Sequence, residues 1–198
     1  MLVSGISLIT KKKAKISTYE GITFALYLSE LGRFEIEVEK EIEEGLYRDK
    51  ILPLLLSRSK ARVMYILKDS DKSELELRQR LKASYYPEEA VDKALEWALE
   101  QRYIDDARYA AFIAESRKGA KSRKQLYVTM KQKGIAEEII LKALDEAAID
   151  EEELIKKLLK KKQYAPDKAN IKARARMFNY LMSKGFEVDM IKSCLKSE

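Results

Sequence analysis

No histidine occurs in these 198 residues, and that absence removes the most familiar catalytic designs. Without an imidazole the chain cannot assemble a Ser-His-Asp or Cys-His constellation, a His-ligated zinc site or a His general base. The one cysteine, Cys194, cannot close an intramolecular disulfide or supply a multi-thiolate metal site, which fits a reducing cytoplasm. It shares a helical face with Ile191 and Leu195 and is expected in a core. Only seven glycines are present, none spaced as GxGxxG or as a P-loop, so no phosphate-cradling loop is visible. The longest apolar run, Ile51 to Leu56, is interrupted by Pro53 and falls far short of a membrane span. The opening MLVSGISLITKKKAK places its apolar part ahead of its charges, the reverse of a cleavable signal. The expectation is a cytoplasmic, non-enzymatic protein with no catalytic residue, cofactor or metal.

What is present is organised in two styles. Ile22 to Leu28 and Phe34 to Val38 are β-branched and aromatic runs, and Glu30 to Arg33 between them reads as a short glycine-containing connection. These predict a β-hairpin, to which Ile6 to Ser17 adds a third strand. Glu39 to Glu44 reads as a short acidic helix closed by a left-handed cap at Gly45, and Asp49 as the start of the next helix, with Pro53 near its first turn. From Ser57 the pattern is helical and it repeats. LKASYYPEEAVDKAL (81–95), MKQKGIAEEIILKAL (130–144) and LMSKGFEVDMIKSCL (181–195) align without a gap at offsets of 49 and 51. The alignment superposes Leu81, Met130 and Leu181, then Val91, Ile140 and Ile191, then Leu95, Leu144 and Leu195, with Leu77, Leu126 and Met177 matching upstream. At the turn it sets Gly134 and Gly185 against Tyr85. A period near 50 suits three short helices rather than a two-helix unit of about 34. The fold expected is mainly α: three tandem trihelical, helix-turn-helix-like repeats in an elongated array (49–103, 104–149 and 150–198), behind a small N-terminal β-hairpin region (1–48).

Charge is unevenly spread. Lys and Arg exceed Asp and Glu by six, yet Ser116 to Ala136 contains no acid against seven bases, and Leu154 to Phe186 only Asp167 against ten. Glu35 to Glu44 carries six glutamates against Lys40. Lysine-rich helices are often solvated faces, but acid-poor segments at equivalent places in successive repeats point to a surface for phosphate or an acidic partner. Its candidates are Arg78, Arg80, Arg117, Lys118, Lys121, Arg123, Lys124, Lys131, Lys168, Lys172, Arg174 and Arg176. Tyr103, Asp105 and Asp106, with Gly119, Gly134 and Gly185, are read as structural punctuation. An aspartate ahead of ARYAAFIAESR caps a helix more readily than it binds metal, because no further carboxylates complete an oxygen shell. Tyr85, Tyr86, Trp97 and Tyr103 suit base stacking, although packing between helices is the plainer role.

Four motifs in order, KSELELRQRL (72–81), YIDDARYA (103–110), KGAKSRKQL (118–126) and KGIAEEIILKAL (133–144), resemble the bacterial RecX family over about Ser57 to the C-terminus. The N-terminal hairpin is of a kind that some members carry. Two departures are the YYP at 85–87, where members often have glycine, and Ala120 in place of a common proline. The resemblance implies a monomeric regulator, usually an inhibitor, of the RecA recombinase in homologous recombination, DNA repair and the SOS response. It would bind the RecA-DNA filament along its groove and modulate ATP hydrolysis, strand exchange and filament persistence, with weak affinity for single- or double-stranded DNA. The alternative is a stand-alone DNA reader of helix-turn-helix type, disfavoured by the few base-reading amides, chiefly Gln79, Gln125 and Gln132.

Overall fold

Along Lys13–Thr18 the sequence alternates Lys13, Lys15 and Ser17 with Ala14, Ile16 and Thr18, and the second set is buried, as period-2 geometry requires of a half-covered strand. In the computed structural model, which describes residues 1–165 and 170–196, this strand (β2) is the centre of an antiparallel sheet. It pairs with β1 (Val3–Thr10) on one side and β3 (Thr23–Tyr27) on the other. The chain divides into two compact units, Met1–Asp105 and Asp106–Glu198.

The expected hairpin is therefore replaced. β3 has β2 as its partner, with Lys13 opposite Tyr27 and Ser17 opposite Thr23. The connection expected at Glu30 to Arg33 lies within a short helix, α1 (Leu28–Arg33). Phe34 to Val38 forms no strand, because Glu35 takes φ 53° and Glu39 φ 62°, which no ladder accommodates. Phe34 and Ile36 fill the core beside the sheet instead of alternating across one. The acidic stretch is not a helix before Glu44 either. Glu39 donates its N–H to Val3 O at 2.9 Å, Val3 returns one to Lys40 O at 3.1 Å, and Ile42 donates to Met1 O at 2.7 Å.

The next helix starts earlier than Asp49. A short turn, α2 (Glu44–Leu46), passes through a π-helical turn (Tyr47–Ile51) into α3 (Leu52–Leu67), so Gly45 sits inside a helix and is no left-handed cap. Pro53 explains the widened turn: a proline has no N–H to give and its ring clashes with the carbonyl four residues back. Just ahead of it, the Leu52 N–H reaches Tyr47 O, five residues back. Leu52, Leu55, Ser59, Val63 and Ile66 form the buried face of α3. At its centre the Ser59 hydroxyl lies 2.8 Å from Leu56 O and 3.1 Å from Ala90 O, so the close approach to α5 leaves no buried donor unmet. The lower half of α3 packs on the sheet and the upper half joins α4 (Glu74–Ala83) and α5 (Glu88–Glu100) around Leu77, Leu81, Val91 and Leu95.

The second unit contains two more trios. Helices α6 (Asp106–Arg117), α7 (Arg123–Gln132) and α8 (Glu137–Glu146) enclose Ile113, Leu126, Met130, Ile140 and Leu144. Helices α9 (Glu151–Lys161), α10 (Ile171–Ser183) and α11 (Val188–Leu195) enclose Leu154, Ile155, Leu181, Phe186, Ile191 and Leu195, with Cys194 half-buried at the edge. All eleven aligned positions from Leu77 to Leu195 that the repeat marks as core, Met177 apart, are buried to 3% exposure or less. Among the described residues no strand follows Tyr27.

The three aligned turns share one geometry. Tyr86 donates to Leu81 O and Tyr85 to Lys82 O; Ile135 to Met130 O and Gly134 to Lys131 O; Phe186 to Leu181 O and Gly185 to Met182 O. This is the paired bonding of a Schellman cap, whose C′ residue must be left-handed. Gly134 has φ 77°, Gly185 φ 87° and Tyr85 φ 60°.

Candidate partner-binding surface

Helix α7 is started by Ser122, whose hydroxyl accepts from the Gln125 N–H at 3.2 Å while its own N–H donates to Gln125 Oε1 at 3.3 Å. Helix α10 is started by Asn170, whose side-chain oxygen accepts from the Ala173 N–H at 2.9 Å. Each buries one apolar face and leaves its basic residues outside. The two acid-poor segments meet: the Ser122 hydroxyl donates to Lys184 O at 2.5 Å across 62 residues of sequence. A Cβ on Gly185 would fall 2.9 Å from Lys124 Cβ, so the lysine stem lies flat on that turn.

Folding supplies acids that the linear segments lack. Lys118 reaches Glu115 at 2.6 Å. Arg123 pairs with Asp145, and its backbone N–H donates to Glu151 Oε1 at 2.8 Å. Lys131 donates to Glu137 at 3.2 Å, and that hydrogen bond holds the Glu137 carboxyl below its usual range. Lys121 Nζ lies 3.3 Å from Thr129 Oγ1. Arg78 is a hub for Glu74, Glu88 and Asp92, with the Asp92 hydrogen bond foremost in raising its pKa further, so it braces α4 against α5. By contrast Arg80, Arg117, Lys124, Lys172, Arg174 and Arg176 are exposed and, among the described residues, have no carboxylate within 4 Å. Lys168 lies outside the described residues.

The punctuation residues divide similarly. Tyr103 sets its ring edge-on against Trp97 at 5.3 Å, and Asp106 opens α6 with Asp105 directly ahead. Gly119 sits in the turn between α6 and α7 with open space around it. No group of three or more Cys, Asp or Glu among the described residues is arranged to hold a metal ion. No described helix is long and apolar enough to cross a membrane.

A second basic cluster escaped the sequence reading. Lys13 and Lys15 project from one face of β2, and Lys13 Nζ lies 5.6 Å from the centre of the Tyr86 ring. Burial, then the nearby Arg58 and Arg62 guanidinium groups, pull the Lys13 ammonium pKa down. The signal was the KKKAK run at 11–15, which mattered only as evidence against a signal peptide until strand alternation put two of its lysines on one face.

Two family models match, one described as the second three-helix domain of RecX over residues 105–144 and one as the third over 150–195. "Regulatory protein RecX" of Actinobacillus pleuropneumoniae serotype 5b is 32% identical over 128 residues, covering 64% of this chain and 83% of that protein. The protein of the same name from Caldanaerobacter subterraneus subsp. tengcongensis is 28% identical over 163 residues, covering 81% and 80%. A crystal structure of regulatory protein RecX covers 98% of both chains at 24% identity with a TM-score of 0.67. That of RecX from Lactobacillus salivarius covers 72% of this chain and 96% of its own at 17% identity and a TM-score of 0.60. With its helix trios, repeated turns and a one-third-identical relative matched over most of its length, the chain belongs to the RecX family of regulatory proteins.

Proposed function

We propose that the chain regulates the RecA recombinase by docking on the RecA-DNA filament through the exposed cations of α7 and α10, slowing ATP hydrolysis and strand exchange and shortening filament persistence. It does so as a cytoplasmic monomer without a cofactor, the trios at 49–103, 104–149 and 150–198 serving as successive contact modules. Family membership supports the partner. The observation that carries the surface is the meeting of two acid-poor segments at the Ser122–Lys184 hydrogen bond. It seats the start of α7 and Lys124 on the C-terminal end of α10, the helix that carries the unpaired Lys172, Arg174 and Arg176 further along its length. Cations without carboxylate partners are free to neutralise phosphates or acidic side chains.

The test reverses charge where the fold does not use it. In Lys172→Glu, Arg174→Glu, Arg176→Glu, all three exposed, helicity and melting temperature should stay near wild type. Inhibition of the RecA ATPase on single-stranded DNA should weaken at least about tenfold at low salt and less at high salt, where screening already removes much of the attraction. Arg123 is left intact because it braces α7 through Asp145 and Glu151. A folded variant that inhibits like wild type at both salts would reduce this surface to a solvated face. The stand-alone reader loses one of its few amides, since Gln125 is engaged in the α7 cap.

A further inference from the structure

A lysine beside a carboxylate is held in its charged, unreactive form, as Lys93, Lys118 and Lys157 are by glutamates within 2.8 Å. Lys13 has the opposite surroundings. Its side chain is half-buried, with Nζ 5.6 Å from the centre of the Tyr86 ring, and among the described residues no carboxylate lies within 4 Å of it. Arg58 and Arg62, one turn apart on α3, are its charged neighbours. The backbone fixes this grouping: Lys13 stands opposite Tyr27 in the β2–β3 ladder, and the Arg58 guanidinium lies 4.7 Å from the Tyr27 ring centre.

The acid that acts on Lys13, Glu30 of α1, is spent elsewhere. Both its oxygens accept from Arg58, at 2.5 and 2.8 Å. Arg62 has no such partner among the described residues; it is exposed and lies over the exposed Tyr65 ring at 5.2 Å. One guanidinium is therefore locked in place and the other is open to a solute. A lysine partly out of water beside other cations is the usual setting of a nucleophilic amine. Burial first, then Arg58 and Arg62, pull its pKa down against the weaker pull of Glu30. An open guanidinium next to such an amine suits a small electrophile that has a phosphate to be held.

We propose that Lys13 is a site of acylation by small acyl phosphates, with Arg62 seating the phosphate while the Lys13 amine attacks the acyl carbon. The nitrogen lone pair forms the new N–C bond, and the bond from the acyl carbon to the phosphate oxygen breaks. Inorganic phosphate leaves with that electron pair, and the nitrogen gives its proton to water. The product is an uncharged amide, so this face of the first unit loses one cation. The reaction needs neither RecA nor the cations of α7 and α10, and it does not rest on the function proposed above.

The experiment treats the full chain with acetyl phosphate, caps unreacted lysines with deuterated acetic anhydride after denaturation, and reads each site's initial rate by mass spectrometry. Lys15, two residues along the same face of β2, and the exposed Lys172 are the internal references. Lys13 should react at least about threefold faster than either, because the neutral fraction of an amine rises about tenfold for each unit by which its pKa falls. Arg62→Gln, a change at an exposed position, should leave the melting temperature near wild type and slow Lys13 by at least about threefold, with Lys172 unchanged. In the wild-type chain, added inorganic phosphate should slow Lys13 but not Lys172, at an ionic strength matched with chloride. Labelling of Lys13 no faster than of Lys15 and Lys172 would overturn the proposal. So would a Lys13 rate indifferent to both Arg62→Gln and inorganic phosphate.

Discussion

Gly134 shows how much a single residue's backbone freedom can decide. Its φ of 77° closes α7 and turns the chain into α8; a valine there would hold a β-branched side chain in the left-handed region, at a cost of about 1–3 kcal/mol. Gly134→Val should lower the unfolding free energy from urea titration by that amount, while Gly5→Val, in a strand with open space beside it, should change it little. Equal shifts would refute the assignment. Gly134 and its counterpart Gly185 were legible because the repeat aligned them and glycine advertises its purpose. The ion pair of Glu30 with Arg58 was not, since nothing in the sequence marks which carboxylate meets which guanidinium 28 residues away. Burial raises the Glu30 pKa, but the Arg58 hydrogen bonds and the Tyr27 N–H outweigh it and leave the carboxyl below its usual range. A depressed carboxylate contributes stability above its unfolded pKa of about 4.3 and loses it as pH falls through the folded value. Glu30→Gln should therefore cost roughly 1.5–3 kcal/mol at pH 7. The difference from wild type should shrink in acid, as chemical denaturation at pH 7 and below pH 4 would reveal.

Helices α4 and α7 begin with the same device, a serine reciprocally bonded to a Glu or Gln three residues on. Both serines accept from their own helix, and Ser122 in addition gives its hydroxyl proton to Lys184 O. Ser73→Ala removes a cap worth about 1 kcal/mol, and Ser122→Ala should cost more, because the partly buried Lys184 carbonyl also loses its donor. Similar melting shifts would mean that the link to α10 contributes nothing. Helices read well from sequence because caps, period and Schellman residues all agree. The sheet read poorly: Phe34 to Val38 has strand composition, but positive φ at Glu35 and Glu39 breaks it, and the true partner, β2, is hidden among lysines. The π-helical turn had no sequence signal beyond Pro53 itself.

Taken whole, a chain with no histidine and a single cysteine whose pKa burial raises has almost no side chain that changes charge between pH 6 and 8. Its melting temperature should be nearly flat across that range and its partner affinity should answer to salt, a pattern that a pH series at fixed ionic strength would test. The general sign of the surface was legible from a net charge of +6, but not which cations are spent, because Arg78, Lys118, Arg123 and Lys131 find their acids only in three dimensions. The Ser122–Lys184 bond also sets a clock. At about 5–20 residues per second of synthesis, roughly 3–12 s separate the appearance of Ser122 from that of its acceptor. The α6–α8 trio is complete in the chain at Glu146, ahead of Lys184, so its apolar core is available first and the last helices arrive at a seat already supplied with its own partners.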